Sequence, residues 1–208
     1  MKSDKLKVKS QKAIIFDLGN VLVEYDGPGM FTAVASLLNT YREDLIAYCR
    51  RYEVALGTGQ LNGPDFYRQV RDTFGGSATY DTFAAALCST QQRNDAALAF
   101  ARALAARPGV KVGIISNTNE VHVAWLRANL PELNQFSSVI MSNEVGLLKP
   151  EADIFKLSLA QLGVAPAQAL FVDDVAENVA GATAVGLAGL HHTAWPTSRL
   201  AIESWLKR

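Results

Sequence analysis

Four short polar clusters hold the residues whose types and spacing could do chemistry together: Asp17-Leu18-Gly19-Asn20, Ser116-Asn117-Thr118, Lys149-Pro150 and Asp173-Asp174. Taken singly, each has an ordinary explanation. An Asp behind a strand serves as a turn residue or helix cap, Ser-Asn-Thr ahead of a helix reads as an N-cap, and a lone lysine is usually solvated. As a set they are chemically complementary, and the reaction they suit is phosphoryl transfer. The Asp17 carboxylate could attack phosphorus to form an aspartyl-phosphate, which splits a difficult hydrolysis into two steps. A phosphorylated substrate would repel that carboxylate unless a hard cation stood between them. Mg²⁺ takes a few carboxylate or carbonyl oxygens and keeps several waters, and Asp17 with the Asp173-Asp174 pair supplies such oxygens. The Ser116 or Thr118 hydroxyl and adjacent backbone N–H groups suit the non-bridging phosphoryl oxygens. Lys149 would neutralise the remaining charge and hold Asp17 ionised. Such a site works mainly by position and electrostatics.

The segments around these clusters have the pattern needed to bring them together. Ala13–Phe16 is a short apolar run of the kind expected for a strand buried on both faces, and it ends at Asp17. Similar runs recur at Val110–Ile115, Ser138–Met141, Ala169–Val172 and Leu187–Leu190, separated by helical patterns at Asp95–Arg107, Glu120–Leu130, Glu151–Leu162 and Val175–Val185. Strands alternating with helices predict βαβ units and a doubly wound, mostly parallel α/β sheet. In such sheets ligands bind outside the carboxyl ends of the strands. The four clusters fall there. The interval from Glu24 to Asn94 breaks the alternation: it holds helical patterns at Met30–Leu38, Arg42–Leu56, Pro64–Phe74 and Tyr80–Ser89 and no convincing strand. This divides the chain into a core of residues 12–23 and 95–208, an all-helical cap at 24–94, and a basic leader at 1–11.

Bulk properties narrow the function classes. The 208 residues include 20 basic and 20 acidic side chains, and this neutral balance gives no reason to expect nucleic acid or an anionic membrane surface as partner. The leader carries lysines but no apolar region, unlike a signal peptide, and no run reaches the roughly 18 apolar residues of a membrane span. The chain is therefore read as soluble and cytoplasmic, with a small-molecule partner. Cys49 and Cys88 read as inert reduced thiols, Trp125, Trp195 and Trp205 as packing aromatics, and His191-His192 as structural. Apolar cap helices would serve a dimer contact as well as a cap-to-core contact, so monomer and homodimer are both consistent.

In this order the clusters resemble the haloacid dehalogenase superfamily. The motifs are Ile14-Ile15-Phe16-Asp17-Leu18-Gly19-Asn20-Val21-Leu22, Ile114-Ile115-Ser116-Asn117-Thr118, Gly146 to Phe155 around Lys149-Pro150, and Leu170-Phe171-Val172-Asp173-Asp174 running on to Ala182. The resemblance covers the chain from Lys12 on and implies a Mg²⁺-dependent phosphatase acting on a small phosphorylated substrate. It implies that Asp17 is nucleophile and metal ligand, that the Gly19 carbonyl binds the metal, and that Asp174 is the direct acidic ligand with Asp173 beside it or behind it. Ser116 would bind phosphate, Lys149 would supply positive charge, and Asn178 would steady the metal loop. One position departs from the pattern. Most phosphatases of the superfamily carry an Asp two residues after the nucleophile, which protonates the leaving group and activates water, and this chain has Gly19. Three consequences compete: substrates whose leaving group needs little protonation, such as a sugar-1-phosphate or an acyl phosphate; a substitute acid among Glu24, Asp26 and His122; or a catalytically weak protein that binds a phosphorylated ligand. The wording of the first two motifs and the stretch Gly59–Phe66 are similar to bacterial proteins related to α-D-glucose-1-phosphate phosphatase, which share the glycine and favour the first. A 2-haloacid dehalogenase, which needs no metal, would leave the acidic pair Asp173-Asp174 wasteful and repulsive.

Overall fold

The computed structural model describes residues 11–208, so all but the last position of the basic leader lies outside the described residues. The chain opens on strand β1 (Lys12–Phe16) and, after a tight loop, β2 (Val23–Glu24). Five helices follow: α1 (Gly27–Leu38), α2 (Arg42–Arg50), α3 (Glu53–Gly57), α4 (Gly63–Phe74) and α5 (Tyr80–Leu87). The chain returns through β3 (Gln92–Arg93), α6 (Asp95–Ala105), β4 (Val110–Ser116), α7 (Glu120–Asn129), β5 (Ser138–Met141) and the short α8 (Ser142–Val145). It closes with α9 (Ala152–Leu162), β6 (Ala169–Asp173), α10 (Ala176–Ala184), β7 (Ala188–His191) and α11 (Trp195–Leu206).

Five of these strands form one parallel sheet in the order β5-β4-β1-β6-β7. The central strand shows why the sheet needs cover on both sides. Ile14 and Phe16 face one apolar cluster with α6, α7 and α11, whereas Ala13 and Ile15 face another with α9 and α10. The result is a doubly wound α/β sandwich. The chain moves outward from β4 to β5 on one side of β1, then crosses to β6 and β7 on the other. This is the switch point at which open α/β sheets bind ligands, and the carboxyl ends of β1, β4 and β6 adjoin there.

The helical unit α1–α5 has an apolar core of its own, in which Val34, Leu38, Leu45, Phe66, Val70 and Phe83 are buried. Two details differ from the sequence expectation. The pattern over Arg42–Leu56 is two helices, because the chain breaks at Arg51-Tyr52, where Tyr52 is no longer helical (φ −111°, ψ 0°). The interval is also bracketed by a strand pair: β2 and β3 pair antiparallel, Val23 with Arg93 and Glu24 with Gln92, and so tie the two chain crossings together. A pair this short leaves no alternation to read.

The candidate active site

Asp17 leaves β1 at the centre of the sheet, and its N–H donates to Val172 O in β6 (2.9 Å). The loop after it is tight: the N–H groups of Val21, Leu22 and Val23 all reach Leu18 O, and Leu18, Val21 and Leu22 are buried in the core. The Asp17 side chain is thereby fixed at the carboxyl end of the central strand and is only 11% exposed.

Lys149 is the hub of the cluster. Its side chain is 1% exposed, and Nζ donates to Asp17 Oδ1 and Asp173 Oδ2, both at 2.7 Å. Asn117 holds the Lys149 backbone from both sides: Lys149 N donates to Asn117 Oδ1 (2.8 Å), and Asn117 Nδ2 donates to Lys149 O (2.9 Å). Behind it, α10 packs closely on the same segment. A Cβ at Gly181 would lie 2.4 Å from Pro150 O, so only glycine lets the helix approach.

The second motif divides its labour. Asn117 is spent on Lys149, and the Thr118 backbone exchanges hydrogen bonds with the Ser142 hydroxyl (Thr118 N to Oγ 2.9 Å, Oγ to Thr118 O 3.1 Å). Ser116, the last residue of β4, has no such partner among the described residues and sits just ahead of α7. Of the three residues of this motif, the structure thus commits the Asn117 amide and the Thr118 backbone to neighbouring loops and leaves the Ser116 hydroxyl unengaged among the described residues.

The fourth motif divides in the same way. Asp173 is fully buried and saturated: Oδ1 accepts from Val175 N (2.8 Å) and Asn178 Nδ2 (3.2 Å), and Oδ2 accepts from Lys149 Nζ and Asn178 Nδ2 (3.1 Å). Asn178, which the family resemblance would give the task of steadying this loop, is buried and points inward onto Asp173. Asp174 is half-buried, and its Oδ2 accepts from Asn20 Nδ2 (3.1 Å). Carboxylate oxygens of Asp17, Asp173 and Asp174 lie within 4.8 Å of one another.

Electrostatics explain what this cluster lacks. Burial, the largest effect, pushes Asp17 up to about 6; Lys149 opposes the shift and Asp173 adds to it. Burial works against the Lys149 charge, but the two carboxylates facing it hold its pKa above the ordinary lysine value. Two buried carboxylates against one ammonium, with a third nearby, leave negative charge uncompensated. A hard divalent cation fits that donor set.

Gly19 stands beside Asp17 with open space around it: a Cβ there would meet only Asp17 Oδ2, at 4.0 Å. None of the three residues weighed as its substitute bonds to Asp17, Lys149, Asp173 or Asp174 among the described residues. Asp26 caps α1 by accepting from Gly29 N (3.0 Å), and Glu24 lies exposed in β2. His122 is turned toward the helical unit, its ring edge-on to Tyr25 with centroids 6.1 Å apart.

Fold and cluster together are those of a Rossmann-like α/β enzyme with an acidic site at its switch point. The sequence matches the haloacid dehalogenase-like hydrolase family over residues 11–186, and the protein belongs to that family. Relatives in it are phosphatases by name. The sesquiterpene phosphatase astK of Aspergillus oryzae is 31% identical over 186 residues, 88% of this chain and 90% of its own. The D-ribitol-5-phosphate phosphatase of Bacteroides thetaiotaomicron is 27% identical over 181 residues, covering 81% and 85% respectively. Among solved structures, the HAD family enzyme bt-2542 from Bacteroides thetaiotaomicron superposes with a TM-score of 0.83 at 24% identity, covering 93% of this chain and 99% of that one. A further structure of that enzyme is a complex with magnesium and inorganic phosphate (TM-score 0.78, 22% identity, 91% and 99% covered).

Proposed function

We propose that this protein is a Mg²⁺-dependent phosphatase that hydrolyses a small phosphorylated metabolite, a sugar phosphate first among them, through an aspartyl-phosphate on Asp17. The observation that carries the reading is Lys149, buried between Asp17 and Asp173 with Asp174 within reach of both. Asp17, Asp174 and the Gly19 carbonyl are the groups that would hold Mg²⁺, whereas Asp173, its oxygens already engaged, sets the position of Lys149. When bound, the ion would neutralise phosphoryl charge and align the phosphorus with its nucleophile.

The chain's own residues do the rest. Lys149 fixes the rotamer of Asp17 and adds positive charge where the three phosphoryl oxygens gather. The Ser116 hydroxyl donates to one of those oxygens, beside the N-terminal end of α7. Asp17 attacks phosphorus, the bond to the leaving oxygen breaks, and water then cleaves the acyl phosphate to return Asp17 and free phosphate. No side chain at position 19 can hand a proton to the leaving oxygen. Leaving groups that depart with little protonation are therefore favoured, which supports a sugar-1-phosphate or an acyl phosphate. The helical unit α1–α5 would serve as the cap that excludes large substrates.

Gly19 is also the one observation that favours a second reading, a catalytically weak protein that binds a phosphorylated ligand. Dehalogenation fits less well, because a metal-free site would leave Asp174 with no cationic partner among the described residues, beside two acids that already share the one ammonium of Lys149. The deciding experiment measures phosphate release from sugar phosphates, acyl phosphates and p-nitrophenyl phosphate, with Mg²⁺ or EDTA, for the native chain and Asp17→Asn. Metal-dependent turnover abolished by Asp17→Asn is the expected result. Absence of turnover across the panel, from folded protein that binds Mg²⁺, would move the assignment to the ligand-binding reading.

A further inference from the structure

Three acids meet at the sheet edge, but they are held by different means. Asp17 and Asp173 share the buried ammonium of Lys149. Asp174 has no cation among the described residues, and the one group that engages its carboxylate is a neutral amide, Asn20 Nδ2, at 3.1 Å from Oδ2. Its backbone is pinned separately, by His191 Nε2 against Asp174 O at 2.8 Å. Asp174 therefore keeps its second oxygen unengaged among the described residues while its rotamer is fixed.

Position 20 is an unusual place for that amide. Asn20 adopts φ +54°, in the left-handed region that glycine enters most easily. Its N–H closes the loop onto Val23 O (2.7 Å), so the turn needs this backbone conformation. The side chain is exposed and does no packing. Backbone preference alone would select glycine here. Charge argues against aspartate, which would set a fourth carboxylate against Asp174. An amide is the short side chain that tolerates the left-handed region and also donates a hydrogen bond to a carboxylate.

We propose that Asn20 is a positioning residue for the divalent cation. Its amide links the loop after β1 to the loop after β6 and holds Asp174 where its carboxylate lies within 4.8 Å of those of Asp17 and Asp173. The inference rests on the reading of this cluster as a metal site. Partners that orient metal ligands are typically worth about 10–100-fold in metal affinity, and that is the size of effect expected.

The test is Mg²⁺ titration followed by calorimetry, without substrate, on the native chain and on Asn20→Gly, Asn20→Ala and Asp174→Asn, with thermal midpoints measured in EDTA. Asn20→Gly keeps the turn and removes only the amide. It should melt at or above the native midpoint yet bind Mg²⁺ about 10–100-fold more weakly. Asn20→Ala should lose the same affinity and also melt lower, because alanine is strained at φ +54°. Asp174→Asn should lose most of the binding. If Asn20→Gly binds within twofold of the native chain while Asp174→Asn is weakened, the role of Asn20 is overturned and the metal site stands. If the native chain takes up no Mg²⁺, both fall together.

Discussion

On the proposed phosphatase reading, Gly19 is the residue on which the chemistry of this site turns, and the reason is an absence of reach. The nearest atom to a Cβ built there is Asp17 Oδ2 at 4.0 Å, and the glycine is not among those with positive φ. Nothing steric excludes a longer side chain. Gly19→Asp should therefore fold, and its carboxyl should come close enough to the reacting oxygens to pass a proton. General acid catalysis contributes about 10²–10⁴-fold where the leaving group needs it. The expected gain is in that range for alkyl phosphates and close to none for p-nitrophenyl phosphate, whose leaving group departs as a stable anion. Comparing kcat/KM for the two classes checks this; equal changes in both, or a loss in both, would show that leaving-group protonation is not what the glycine withholds. Side-chain direction is also what the sequence hid at this scale. Asn117 stands in a motif suited to phosphate, but both ends of its amide clamp the Lys149 backbone, and the inward turn of Asn178 onto the Asp173 carboxylate is a direction that spacing alone does not give. Residue types and spacing say which groups are near the site. Only the fold says which way each one faces.

At the scale of elements, the parallel strands and their helices were legible because β1, β4, β5 and β6 are largely buried on both faces and read as nearly continuous apolar runs, whereas the edge strand β7 is only half-buried. Elements without such a signature were not. The β2–β3 pair has two residues a side, and α11 begins at Ala194-Trp195-Pro196 with no side-chain cap and only a modest apolar stripe. Helix α7 was placed correctly, but the sequence did not reveal that His122 lies in its seam with α5. One ring nitrogen, Nε2, is buried there without a partner among the described residues. Burial lowers its pKa below the ordinary 6.5, and a contact with the Leu87 backbone offsets only part of the shift. The sign follows from where the proton binds: the unfolded chain takes it up near 6.5, the folded chain only at lower pH. This residue's contribution is thus full above 6.5 and lost as pH falls toward the folded value, at up to about 1.4 kcal/mol per pH unit. His122→Gln, which carries no titrating ring, should melt with a shallower dependence on pH between about 5 and 7. Thermal midpoints of the two chains across that range provide the check, and parallel curves would mean that the seam opens to admit the proton at little cost.

The molecule as a whole holds one apolar cluster on each face of the sheet and a third inside α1–α5, and α7 joins the third to the sheet. The sheet core and the core of α1–α5 are separate clusters, but α7 belongs to both: Val123 and Leu126 face the sheet, Val121 is buried with the helical unit, and Trp125 packs against each. Glu120, at the start of the same helix, accepts from Gly63 N at 2.7 Å, at the first residue of α4. The helix that begins beside Ser116 is thus also the seat of the helical unit, and any movement of the unit is passed to the end of the site that would bind phosphate. Val121 is the point at which the two cores can be uncoupled without touching the carboxylates. Truncating a buried valine removes about two methyl groups and costs about 2 kcal/mol when the gap does not close. If the unit opens independently, Val121→Ala should raise amide hydrogen exchange throughout α1–α5 by roughly 30-fold, the equivalent of that energy. Amides of β1, β4 and β6, held by the sheet, should keep native protection. KM should rise more than kcat falls, because Asp17, Lys149 and Asp173 remain in place while the cap over the substrate loosens. A uniform loss of protection across sheet and helices alike would mean that the two cores unfold as one, leaving α7 as a structural strut with no part in closing the site.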